Sequence, residues 1–102
     1  MKNLAMIIHV NLKRALADLL RDLESVEGFT FSLVEGHGAQ SETDPLLSAR
    51  DKVVGYTPHV RLDILLEDVD VETVLAAIRA DGRGISGQGI YWVTPVEEHG
   101  RI

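Results

Sequence analysis

The chain has no cysteine, which excludes a disulfide framework, a thiolate zinc site and a cysteine nucleophile. It also lacks any apolar run near the roughly 20 residues that a membrane-spanning helix needs. Basic residues are the minority: Lys and Arg number 10 against 16 Asp and Glu, for a formal net charge of -6. A sequence-independent hold on nucleic acid needs a basic face, so nucleic acid is not an expected partner. The opening "MKNLAMIIHV" is too short an apolar run for a secretory signal and has no small-residue cleavage site, so the expected location is cytoplasmic. What is present, 45% hydrophobic and 25% charged residues over 102 positions, is the composition of one globular domain. A domain this small gains from oligomerisation.

Leu4 to Val10 reads as a strand, and Asn11 is placed to cap the helix that follows. Leu12, Ala15, Leu16, Leu19, Leu20 and Leu23 recur at helical spacing over about four turns, with charged residues between them. "FTFSLVE" alternates, putting Phe29, Phe31 and Leu33 on one face and Thr30 and Ser32 on the other. A polar segment from Gly36 to about Pro58 follows, holding a short helix signal at "DPLLSARDKVVG". A loop this long in so small a domain is expected to carry function. Its apolar Leu46, Leu47, Val53 and Val54 either tuck against the body or dock into a partner.

"HVRLDILLED" is a second alternating strand, with Val60, Leu62, Ile64 and Leu66 on its apolar face. Asp70 can cap a second helix bearing Val71, Val74, Leu75 and Ile78. The four glycines of "DGRGISGQG", residues 81–89, demand a loop, and "IYWVTPV" is a last strand whose Pro95 marks an edge or an end. The order is βαββαβ, the ferredoxin-like arrangement: an α+β fold with a four-stranded antiparallel sheet and two helices on one face. The opposite face then shows Thr30, Ser32, Arg61, Asp63 and His9, too polar for a core and suited to a wet or inter-subunit surface.

Three motifs carry a family likeness. "GHGAQ", Gly36 to Gln40, resembles the glycine-x-glycine-x-glutamine entrance to the T-loop of PII signalling proteins. "GQGIYWV", Gly87 to Val93, is similar in place to their second glycine loop, and "VTPVEEHGRI" resembles their tail. The likeness is closest to a small PII-like group associated with heavy-metal efflux systems. It implies a single domain over 1–102, a T-loop at about 37–58 and a second glycine loop at 81–89. It further implies a homotrimer that binds a small effector between subunits and signals through the T-loop to a membrane transporter, with no insertion of its own into the membrane. The effector residues carried over are Gly36, His37, Gly38, Gln40, Gly87, Gln88, Gly89 and Arg101. Ala39 and Ile90 stand where the family has a phosphate-binding arginine and lysine. Their absence weakens adenine-nucleotide binding, because charge-assisted hydrogen bonds are lost. The effector therefore stays unknown, and a divalent metal stays open as an alternative.

Each glycine pair has a second reading, as a supplier of positive φ where the chain turns. Of the histidines, His37 is the first candidate metal ligand and His99, beside Glu97 and Glu98, the second. A metal module resembling the trimeric CutA proteins is the alternative function, and a ligand-free interaction protein a third. Tyr91 and Trp92, on opposite faces of the last strand, read as packing or interface residues. No serine has the context of a nucleophile elbow or triad, so the expectation is a binding protein and not an enzyme.

Overall fold

The computed structural model describes residues 1–37 and 57–102, and of Thr57 the backbone alone. The expectations for Gly38, Gln40, the short helix after Asp44 and the apolar residues near it fall outside the described residues. The elements run β1 (Lys2–His9), a 3-10 turn (Val10–Leu12), α1 (Lys13–Arg21), β2 (Thr30–Gly36), β3 (Thr57–Leu66), a 3-10 turn (Asp68–Asp70), α2 (Val71–Ala80) and β4 (Gly89–Pro95). The four strands form one sheet in the order β2-β3-β1-β4, with every neighbouring pair antiparallel. That is the ferredoxin-like α+β architecture expected from the order of elements.

Register explains the core. Leu4, Met6 and Ile8 of β1 lie opposite Ile64, Leu62 and Val60 of β3, and all six are buried. Leu16 and Leu20 of α1 and Val74 and Ile78 of α2 cover them. Each such side chain contributes about 1.5–3 kcal/mol by leaving water. Ile85, between glycines in the loop before β4, is also buried at 2% exposure and pins that loop to the core. Leu33 is the exception on this face. The packed apolar row includes Phe29 and Phe31, but Leu33, in the middle of edge strand β2, is 79% exposed.

Two capping expectations are corrected. A cap residue needs an extended backbone and a side-chain acceptor aimed at the first turn. His9 meets both conditions, with φ -61° and ψ 141° and Nδ1 accepting the Asn11 amide at 3.1 Å. Asn11 already belongs to the 3-10 turn, so it is the capped residue and not the cap. Asp70 likewise sits in helical backbone and makes no side-chain capping bond. The helical run is also shorter than four α turns: α1 has nine residues, preceded by the three-residue 3-10 turn.

Candidate functional site

The face away from the helices holds a chain of polar contacts across three strands. Arg61 Nη2 and Nε donate to the two oxygens of Asp63 at 3.1 Å. The Arg61 guanidinium lies 5.1 Å from the Trp92 ring centre, within cation–π range. Asn3 Nδ2 donates to Asp63 Oδ1 at 3.2 Å. The Arg61 hydrogen bonds, ahead of the Asn3 bond, hold the Asp63 carboxyl below the usual carboxylate range against the opposing cost of burial.

One end of the sheet carries the glycine motifs. His9 and His59 are direct cross-strand partners, and their rings meet edge to face with centroids 6.1 Å apart. Gly36, the last residue of β2, lies against His59, where a β-carbon would overlap the imidazole Nδ1. Its glycine is therefore required by close approach. Among the described residues only Gly84 and Gly87 have positive φ, 88° and 77°. Gly87 thus turns the chain, helped by the Gln88 amide bonding the Ile85 carbonyl at 3.0 Å. Gly89 opposes Ile8 and passes so close to β1 that a β-carbon would lie 2.6 Å from the Ile7 carbonyl oxygen. His37 is exposed, its Nε2 3.3 Å from Glu35 Oε2.

The other end carries the tail. Pro95 opposes Lys2, and the Val96 amide bonds the Met1 carbonyl at 3.1 Å. His99 lines an open cavity of about 870 Å³ together with Asn3, Glu27, Thr30 and Asp63. Arg101, two residues on, is exposed. From Asn3 to His9 the strand rises roughly 20 Å at 3.4 Å per residue, so one chain does not bring His99 to His37 and the glycines. Among the described residues no three His, Asp or Glu side chains converge as a metal site would require, and no described helix is long and apolar enough to cross a membrane.

The sequence pointed to the glycine end, and of the cavity it singled out only His99, as a candidate metal ligand. Thr30 and Asp63 also fell on the polar face, while Asn3 and the Glu27–Gly28 pair come from segments far apart in the chain.

A family model described as a protein of unknown function, DUF3240, matches residues 1–102. The chain is 36% identical over 78 residues to a protein named nitrogen regulatory protein P-II from Azospirillum brasilense, covering 76% of this chain and 70% of that one. A protein of the same name from Rhizobium meliloti is 35% identical over the same span and coverage. The crystal structure of a DUF3240 family protein from Shewanella baltica superposes with a TM-score of 0.76 at 19% identity, covering 99% of this chain and 94% of that one. At that identity the likeness concerns the fold.

Proposed function

Because this chain belongs to the DUF3240 family and is a relative of the P-II regulatory proteins, we propose that it is a PII-like regulator that works as a homotrimer and binds a small effector between subunits. The effector would meet Gly36, His37 and the 87–89 backbone of one copy, with Gly38 and Gln40 beyond them, and Arg101 of the next. One observation carries this reading: the glycine end and His99, two residues before Arg101, stand at opposite ends of one sheet, which favours a site that takes its tail residues from a second copy. The polar face away from the helices, with exposed Ile90 at 62%, gives that copy a surface to meet.

Mechanistically, the effector acts by favouring one arrangement of the segment after His37 over another. Differential affinity for the two arrangements is what turns occupancy into a signal. The reader of that signal is a membrane transporter, of the heavy-metal efflux type, at the cytoplasmic side. The chain itself does no chemistry in this scheme.

Light scattering on the eluting protein tests the assembly, and a stable monomer removes the inter-subunit site. Calorimetric titration with ADP and ATP tests the effector class. Binding that is lost in Arg101→Ala supports the nucleotide form of the reading. Zinc or copper binding that survives Arg101→Ala but not His37→Ala would replace it with the metal form.

A further inference from the structure

His9 is the only buried polar side chain among the described residues, at 2% exposure. Directly across from it on β3 is His59, with ring centroids 6.1 Å apart. Beyond His59, at the end of β2, Gly36 presses against that imidazole. On the other side of His9, its neighbour Ile8 pairs with Gly89 of β4. The two histidines thus stand between the two glycines that close approach requires.

The hydrogen bond at His9 fixes where its ring proton lies. Nδ1 accepts the Asn11 amide at 3.1 Å, so that nitrogen presents a lone pair and the neutral ring carries its proton on Nε2. A second proton can enter only at Nδ1, where it would meet the Asn11 N–H donor to donor. The bond is then lost, and with it the cap of the first helical segment. The new charge also sits in a buried position, and a charge on His59 as well would set two cations side by side. Imidazole is the side chain that changes charge between about pH 5 and 8. The charged groups on the surrounding elements are already engaged or exposed. Glu35 contacts His37 at the end of β2, Arg61 pairs with Asp63 further along β3, and Lys13 lies over Phe31. Arg14 is exposed at the start of α1, and β4 brings only Gly89 and Ile90 to this level.

We propose that His9 and His59 form a pH-sensitive switch at the glycine end of the sheet, intact while His9 Nδ1 accepts the Asn11 amide and broken when that nitrogen is protonated. Breaking it frees the start of the first helical segment and drives the two rings apart. Gly36 fits against His59 as it stands, so displacing His59 loosens the end of β2. The proton binds the broken form better, because only there does it enter without costing the cap. Stability therefore falls as pH falls through the imidazole range and returns as pH rises. The switch is built by one chain without an effector, so it goes beyond the inter-subunit reading and does not rest on it.

NMR on the isotopically labelled full chain, with no effector added, tests it. At about pH 8, long-range nitrogen–proton spectra should place the His9 ring proton on Nε2. On acidification to about pH 5, the Asn11 and Gly36 amide signals should shift along one titration curve with the His9 ring. Exchange of the Asn11 amide, corrected for its intrinsic pH dependence, should rise about tenfold, the equivalent of one lost hydrogen bond. At fixed protein concentration, the urea midpoint should be lower at about pH 5.5 than at about pH 7.5. His9→Asn keeps an acceptor that does not titrate in this range, so it should abolish the shared curve and flatten the urea difference. A ring proton on Nδ1 at the higher pH overturns the proposal. So does a urea midpoint that ignores pH, or one that moves equally in His9→Asn. The proton position and the parent titration need no variant, so they decide the matter even if His9→Asn folds poorly. A trimer whose midpoint ignores pH sinks this inference alone, whereas a monomer that titrates as expected sinks only the inter-subunit reading.

Discussion

His59 lays its imidazole against Gly36 so closely that any β-carbon at residue 36 would overlap Nδ1. The contact joins β3 to the last residue of β2, where the long segment begins. Gly36→Ala should therefore destabilise the protein by about 1–3 kcal/mol, the usual range for overpacking. Thermal unfolding reads the loss. If the cause is the overlap, Gly36→Ala combined with His59→Ala should cost less than the two changes summed, with a coupling of about 0.5–3 kcal/mol. Strict additivity would count against the contact.

His9 caps the start of the first helical segment through Nδ1. His9→Leu keeps bulk but removes the acceptor, and should lower stability by about 0.5–2 kcal/mol on the capping term alone. His9→Asn retains an acceptor oxygen and is expected to be the milder change. Denaturant melts of the two variants, compared at constant m-value, check the order.

Asp63 is held ionised to lower pH than an ordinary aspartate, first by Arg61 and then by Asn3. A carboxyl whose folded pKa is depressed stabilises the fold fully above its unfolded value, about 3.9. That stability is lost as pH falls through the lower folded value. Asp63→Asn should cost about 1–3 kcal/mol at neutral pH, and the difference from the parent chain should shrink below about pH 4. Urea melts across the acid range measure this, and a gap that widens on acidification would contradict it.

Gly87 turns with φ 77°, a conformation that costs a residue with a β-carbon about 1–2 kcal/mol. Gly87→Ala should lose that amount. Open space surrounds its missing β-carbon, so the loss is one of backbone strain and not of crowding. Gly87→Asn, which tolerates the left-handed region better, should lose less. Equal losses in the two variants would point to another cause.

Much of the fold was legible because its signals are local. Val60, Leu62, Ile64 and Leu66 alternate in the sequence and are all buried in the structure. Trp92 and Tyr91 fall on opposite faces, one under Arg61 and the other beside Arg79, whose Nη2 donates to the Tyr91 hydroxyl at 3.3 Å. Leu33 shows the limit of that pattern: its parity is right, yet its place on an edge strand leaves it in solvent. Gly36 shows another, since a glycine before a loop suggests a turn, while the reason for it lies in His59, 23 positions later in numbering.

The sequence by itself determined the order of elements, the apolar face of each strand and helix, and the family motifs around Gly36 and Gly87. Periodicity and turn chemistry act within a few residues, so they can be read from the chain directly. Only the tertiary structure decided that His9 is the cap, that Gly36 exists to admit His59, and that Asn3 meets Asp63 across 60 positions beside an open cavity. Those are relations between strands, fixed by register and packing, and no local pattern carries them.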